Sequence, residues 1–191
     1  MKAIFKEIWE LAKPYLDTRQ NLIHTEISTA LAYKLLEKEG GDEDIVIPAI
    51  ILHDVGWIRV PENLQLKAFG PKASSPEINR VHELEGAKIA KEILGKVGYD
   101  AGCIKVIIEI IEGHDSRGKG HSLNDKIVKD ADKLWRYSKK ALHINMKRFE
   151  HNREKSLDRI RSNLEKWFLT NSAKAIARQE LMEREKNWII Y

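Results

Sequence analysis

Histidine and aspartate side chains recur in this sequence at places where a metal ion could use them. His53 and Asp54 close an apolar run that begins at Ala49, and Gly56 follows almost at once. Both side-chain types ligate divalent metals once they are deprotonated. Adjacent residues of a helix point about 100° apart, so they can share an ion only where the helix ends, and Gly56 permits that ending. Taken alone the pair is weak evidence, because a helix can end in two polar residues by chance.

Further histidines and aspartates give this pair its weight. Each lies on, or at the end of, a predicted helix and beside an apolar stripe, so a helical bundle could gather them at one inner site. A single buried histidine is more often a core residue than a ligand, but six such residues are harder to explain by packing alone. The candidate set is His24, His53, Asp54, His82, His114 and Asp132.

The elements that must position these residues are helices. Apolar residues recur at helical spacing along most of the chain and no strand is predicted, so the expected fold class is all-α. Residues 57–80 break the pattern with proline and glycine, which predicts a long loop or short broken helices beside a substrate. Asp17 and Thr18 are expected to cap the second helix. The predicted helices cover residues 4–16, 18–38, 44–54, 80–94, 101–112, 122–135, 153–169 and 172–188.

Length and composition predict a single domain over residues 1–191, with 42% hydrophobic and 32% charged residues. Cys103 is the one cysteine, so no internal disulfide is expected and a reducing cytoplasm is the simplest location. The apolar runs are too short to cross a bilayer, and we expect no membrane contact. Residues 139–191 carry 13 Lys or Arg against 7 Asp or Glu, a net of +6, whereas the whole chain carries +4. Contact with nucleic acid therefore stays open, although interleaved acidic residues favour ordinary solvated helix faces.

The order and context of these residues resemble the HD-domain superfamily of metal-dependent phosphohydrolases. The resemblance covers about residues 20–138. It implies a compact multi-helix bundle with a metal site at its centre, and a helical C-terminal extension, residues 139–191, packed on that bundle. The segments that carry it are Ile23-His24-Thr25-Glu26, Ile51-Leu52-His53-Asp54-Val55-Gly56 and Val128-Lys129-Asp130-Ala131-Asp132-Lys133-Leu134.

The resemblance also implies a ligand set. His24, His53, Asp54 and Asp132 would bind one divalent ion, which could be Mn, Fe, Co, Ni, Zn or Mg. The ligand aspartate of the family stands in an Ala-Asp-Lys/Arg-Leu context, and this selects Asp132 over Asp130. Two additional histidines of a longer family pattern bind a second ion in some members and face the substrate phosphate in others, and the sequence leaves both roles open. Their counterparts here are His82 and His114.

The activity that the resemblance implies is hydrolysis of a nucleotide or other small phosphate ester by metal-activated water attack on phosphorus. The residues expected to take part in catalysis are Asp54, His82 and His114, and Glu83 or Glu85 is a candidate proton shuttle. The cations that could neutralise phosphate charge are Lys72, Arg80, Arg117 and Lys119. Two alternatives stay open, a di-iron oxygenase on the same scaffold and a non-catalytic metal-binding regulatory module. An oligomer is also compatible with the sequence.

Overall fold

The computed structural model of the chain describes residues 1–68, 73–75 and 77–186, and within them it confirms an all-α fold. Short 3₁₀ segments follow α3 at Val55–Arg59 and α7 at Trp135–Tyr137. The α-helices of the described part are α1 Ala3–Leu16, α2 Asn21–Glu39, α3 Glu43–Leu52, α4 Glu62–Ala68, α5 Glu77–Lys96, α6 Ala101–Ile111, α7 Leu123–Leu134, α8 Lys139–Phe149, α9 Arg153–Trp167 and α10 Asn171–Lys186.

Helix α3 lies at the centre of the bundle. Every residue from Ile45 to Leu52 is buried, because this stretch contains no charged side chain and packs against neighbours on all sides. Helices α2, α6 and α7 contact α3, while α5 packs against α6 and the first 3₁₀ segment. Since His53 and Asp54 follow directly on this buried stretch, the chain places them in the interior of the molecule.

The C-terminal helices pack on this bundle. Helix α10 contacts α9, α2 and α7, and its Leu181 belongs to the same hydrophobic core as Phe5 of α1. The carboxylate of Asp130 on α7 accepts hydrogen bonds of 2.8 Å from the backbone N–H groups of Leu169 and Thr170 and from the Thr170 hydroxyl. This buried carboxylate therefore fixes the connection between α9 and α10 to α7. None of the helices in the described residues combines the length and hydropathy needed to cross a membrane.

The start of α2 differs from the sequence-based prediction. Arg19 and Gln20 adopt left-handed backbone conformations, with φ of 51° and 67°, and α2 begins only at Asn21. Asp17 and Thr18 are therefore not its caps, and the first turn of α2 carries no side-chain cap. A left-handed non-glycine residue costs about 1–2 kcal/mol, so other contacts must hold this turn in place.

One helix was not predicted. Helix α8 begins after Ser138, whose hydroxyl accepts a hydrogen bond from the Ala141 N–H. It buries only Ala141 and Leu142, and so small an apolar stripe gives a weak periodic signal.

In the segment 57–80, α4 is one of the short helices expected there, and α5 begins before residue 80.

The close approach of the first 3₁₀ segment to α5 depends on Gly56. A Cβ atom at this position would collide with the carbonyl oxygen of His82 and the backbone nitrogen of Gly86. We predict that Gly56→Ala lowers the free energy of unfolding by about 3 kcal/mol or more, as overpacking against backbone does. Gly95 of α5 is a matched control, since nothing lies within 4 Å of a Cβ there. Gly95→Ala should instead raise the free energy of unfolding by about 0.5–1 kcal/mol. Urea unfolding of both variants measures these changes, and equal effects would contradict the packing described.

Candidate metal centre

The fold brings all six candidate ligands to one place. His24 comes from α2, His82 from α5 and Asp132 from α7, while His53, Asp54 and His114 lie just beyond the ends of α3 and α6. All six residues are buried. Their donor atoms form overlapping groups that could each hold an ion, and one group adds a residue not predicted as a ligand. These groups are His24–His53–Asp132, His53–Asp54–His114 and His82–His114–Asp115.

Asp54 lies between two pairs of histidines. Its Oδ2 is 3.4 Å from Nε2 of His24 and 3.7 Å from Nε2 of His53. Its Oδ1 is 3.6 Å from Nε2 of His114 and 3.8 Å from Nε2 of His82. Neighbouring ligands of one ion with bonds near 2.1 Å are separated by about 3.0–3.5 Å. One of the four distances lies in this range and the other three are about 0.1–0.3 Å above it, and each oxygen of Asp54 faces a different histidine pair.

Asp132 faces the first of these pairs. Its Oδ1 lies 3.3 Å from Nε2 of His24 and 3.8 Å from Nε2 of His53. Its Oδ2 is buried and has no hydrogen-bond partner among the described residues. A buried carboxylate oxygen normally has a partner, so this atom fits a site that takes a cation.

The histidine tautomers also fit a cation. Nδ1 of His53 lies 2.7 Å from the Ile50 carbonyl oxygen, and Nδ1 of His114 lies 2.8 Å from that of Ile111. A carbonyl only accepts, so Nδ1 carries the hydrogen and Nε2 of the neutral ring keeps a lone pair. Backbone bonds of this kind commonly fix metal-binding histidines. Imidazole nitrogens and carboxylate oxygens turned toward one buried point are a donor set suited to a divalent ion.

The electrostatics of the centre favour ionised carboxylates. Burial acts to raise the pKa of Asp54, but the charge of His53 and the close approach of the His114 imidazole outweigh it and hold the pKa well below its usual range. Burial acts to lower the pKa of His114, yet the neighbouring carboxylates of Asp54 and Asp115 raise it to about 9. Burial and the charge of His114 lower the pKa of His82 to about 4. The buried carboxylates therefore require positive charge nearby, which protonated histidines supply here and which a bound cation would supply in their place.

Trp57 supports Asp54 and His82 together. Its Nε1–H donates to Oδ1 of Asp54 at 3.0 Å, and its ring stacks on His82 with centroids 4.0 Å apart. The guanidinium of Arg19 lies 4.0 Å from the centroid of the Trp57 ring. The left-handed turn at Arg19 and Gln20 thus places a cation beside the centre, where backbone strain is often found.

A second set of buried polar groups holds the segment that carries His114. Glu83 is fully buried, and its carboxylate accepts from the N–H groups of Asp115 and Ser116, each at 2.8 Å. Lys129 donates to the carbonyl oxygens of Gly113 and His114. These bonds place Glu83 in a positioning role, whereas its role as a proton shuttle stays a prediction.

A cavity of about 210 Å³ opens onto the centre. It touches His24, Asp54, Asp115 and Asp132, while His53, His82 and His114 are not among its described lining residues. Its outer walls come from the end of α7, from α8 and from α9, and they are rich in cations and aromatic rings. The described cations of its lining are Arg19, Lys133, Arg136, Arg148 and Arg159, and its aromatic residues include Trp57, Trp135, Phe149 and Trp167.

Three of the four cations predicted for substrate binding do not line this cavity. Arg117 pairs with Asp125 at 2.8 Å, and Arg80 contacts Glu83 and the Glu112 carbonyl. Neither of these residues, nor Lys119, lines the cavity. Lys72 lies outside the described residues. Substrate binding by these four residues stays a prediction, and the geometry brings other cations to the centre.

Asp115 and the arginines of the cavity were not predicted as site residues, because the sequence gives only weak signals for them. His114-Asp115 repeats the pair His53-Asp54, and both histidines bond a carbonyl three residues earlier, so Asp115 had a visible parallel. The arginines of the cavity are dispersed over the turn before α2, the second 3₁₀ segment, α8 and α9. The excess positive charge of residues 139–191 was the trace that Arg148 and Arg159 left in the sequence.

Comparisons with known proteins agree with this geometry. The sequence matches the HD domain model over residues 21–137, more than half of the chain, and the chain belongs to the HD-domain family. The fold is similar to the crystal structure of a predicted HD superfamily hydrolase from an uncultured Thermotogales bacterium. That similarity has a TM-score of 0.65 and 20% identity, and it covers 95% of this chain and 87% of the other. None of the curated proteins matches the sequence.

A metal titration should distinguish the role of Asp132 from that of Asp130. We predict that Asp132→Asn lowers the affinity for Mn²⁺ at least ten-fold, because it replaces the carboxylate that faces His24 and His53 by a neutral amide. Asp130→Asn should keep the Mn²⁺ affinity but lower the free energy of unfolding by about 1–3 kcal/mol, because it breaks buried bonds to Leu169 and Thr170. Calorimetric titration and urea unfolding of both variants test this. Loss of Mn²⁺ binding in Asp130→Asn alone would reverse the assignment.

The substitution Trp57→Phe tests how much the indole N–H group contributes to metal binding. The phenyl ring retains a stacking surface for His82 but cannot donate to Asp54, whose Oδ1 then loses an orienting bond. We expect Mn²⁺ affinity to fall about 10–100-fold, the usual effect of removing a group that orients a ligand. Near-wild-type affinity in a folded Trp57→Phe protein would show that the N–H does not orient Asp54.

Proposed function

We propose that this protein is a divalent-metal-dependent phosphohydrolase acting on a small phosphate ester such as a nucleotide. The observation that carries the proposal is a cavity whose floor is the His/Asp centre and whose walls are cationic. Membership of the HD-domain family supports it, and the similar solved structure bears the description of a predicted HD superfamily hydrolase. Anionic substrates suit such walls, because arginine forms paired hydrogen bonds to phosphoryl oxygens.

The donor geometry supports two ions. His24, His53 and Asp132 would hold one, and His82 and His114 with Asp115 would hold the other, with Asp54 between them. When bound, a divalent ion lowers the pKa of its water toward about 7 and polarises a phosphoryl oxygen. His82 and His114 are almost fully buried behind the cavity lining, which favours metal ligation over contact with substrate phosphate.

The chain's own cations would handle the charge of the phosphoryl group. Arg136 donates to the backbone carbonyl of Asp132 at 2.9 Å, and its Nη1 lies 3.5 Å from Oδ1 of the same residue. Arg19 lies against Trp57, which bonds Asp54. Burial lowers the pKa of Arg19 to about 10, so its guanidinium stays protonated at neutral pH. Arg136 thus lies beside Asp132, and Arg19 lies against the residue that bonds Asp54, so both would stabilise negative charge on phosphoryl oxygens in the transition state.

Phosphate release tests the proposal. The protein would be assayed against nucleotides and phosphate esters with Mn²⁺, Co²⁺, Ni²⁺ or Mg²⁺, beside Asp54→Asn. We expect metal-dependent release that falls at least about a thousand-fold in Asp54→Asn, because Asp54 serves both donor groups. Asp17, directly after α1, carries an exposed carboxylate. The variant Asp17→Asn makes the same charge change and should retain the wild-type rate. Release without metal dependence, or none from folded protein, would contradict the proposal, and bound iron with oxygen consumption would favour the oxygenase.

A further inference from the structure

The cavity extends well beyond the carboxylates of the centre. Arg148 near the end of α8 and Arg159 in the middle of α9 line its far wall, and we call these two residues the outer arginines. Arg19 and Arg136 stand beside the centre, as described above. One phosphoryl group bound at the centre would be met by Arg19 and Arg136, which leaves the outer arginines facing whatever else the substrate carries.

The charges of the cavity exceed what one phosphoryl group can neutralise. Among its described lining residues, five cations stand against three carboxylates, and those three lie at the centre, where ions would neutralise them. Burial lowers the pKa of Arg148 and of Arg159, and the positive charge of Arg136 lowers both further. Partly buried guanidinium groups that repel one another are stabilised when an anion enters between them.

The aromatic rings of the far wall hold guanidinium groups. The Arg159 guanidinium lies 5.5 Å from the Phe149 ring centroid and 6.0 Å from that of Trp167. The Arg136 guanidinium lies 5.8 Å from the Trp167 centroid. Arg148 donates to the Arg19 carbonyl oxygen at 2.6 Å. These contacts orient the cations before any ligand binds, and they use aromatic faces that would otherwise be available to a nucleobase.

The size of the cavity points the same way. About 210 Å³ is less than the roughly 300–1,000 Å³ of pockets that enclose drug-sized ligands. A compact, highly charged group fits such a space better than a base and sugar do.

We propose that the outer arginines bind a second phosphoryl group, so that the substrates of this site are diphosphate or bisphosphate esters recognised by charge and not by base. This inference rests on the proposed function and specifies its substrate class. It predicts that a nucleoside diphosphate is preferred over its monophosphate, while a change of base alters kcat/KM by less than about three-fold, since no base contact is involved.

Binding of inorganic anions tests the inference separately from catalysis. Full-length protein, both as purified and after treatment with a chelator, would be titrated calorimetrically with pyrophosphate and with orthophosphate. Circular dichroism would check that each sample is folded. We expect pyrophosphate to bind at least about ten-fold more tightly than orthophosphate. Arg159→Gln should remove that preference, because one charge-assisted contact commonly contributes a ten-fold effect or more.

The chain offers matched variants for this test. Arg161→Gln makes the same charge change on α9, at an exposed arginine paired with Asp158 and Glu185, and should leave pyrophosphate binding unchanged. Arg159→Lys keeps the charge and should recover part of the preference. Equal binding of the two anions, or equal loss in Arg159→Gln and Arg161→Gln, would overturn the inference.

The two proposals can fail independently. Pyrophosphate preference with no hydrolysis of any ester would keep the second anion site and reject the phosphohydrolase. Metal-dependent hydrolysis with equal kcat/KM for mono- and diphosphates would keep the phosphohydrolase and reject the second site. Strong dependence of kcat/KM on the base would also reject it.

Discussion

The structure depends on the placement of one carboxylate, Asp54, between two pairs of histidines inside a helical bundle. Burying a carboxylate is unfavourable unless positive charge and hydrogen bonds compensate for lost hydration. The compensation comes from opposite sides, with one histidine pair toward each oxygen and the Trp57 indole on Oδ1. Every helix that contributes one of these side chains must therefore meet at the end of α3, and this requirement shapes the bundle.

Several costly features are explained by that requirement. Helix α3 is apolar from Ile45 to Leu52, and the burial of this stretch contributes the hydrophobic stabilisation that a cluster of buried polar groups does not. Gly56 lets the chain pass within van der Waals distance of α5, so that His82 can approach Asp54. The left-handed turn at Arg19 and Gln20 adds backbone strain but directs a cation to Trp57. Strain and buried charge thus concentrate around the centre, as is common where geometry serves function.

The gathering of the six candidate residues at one centre could be predicted because their signals are local. His53-Asp54 ends an apolar run, and Asp132 stands in a short characteristic context, so residue type and neighbours were sufficient. The choice of Asp132 over Asp130 agrees with the geometry, since Asp130 instead binds the connection between α9 and α10. The walls of the cavity could not be predicted in this way. Arg148 and Arg159 are brought near Asp54 only by the packing of α8 and α9, and a dispersed arginine looks like any solvated one in the sequence. Conversely, Arg117 looked available in its glycine-rich loop, but a buried Asp125 pairs with it.

The central claim is that Asp54 belongs to a metal centre, and the most direct measurement is a crystal structure of the Mn²⁺-soaked protein with anomalous diffraction data. The account predicts two anomalous peaks, one beside His24, His53 and Asp132 and one beside His82 and His114, with Asp54 in contact with both. A single peak at the first group would reject the two-ion arrangement. The absence of any peak at these residues, in a crystal where Mn²⁺ binds elsewhere, would contradict the account as a whole.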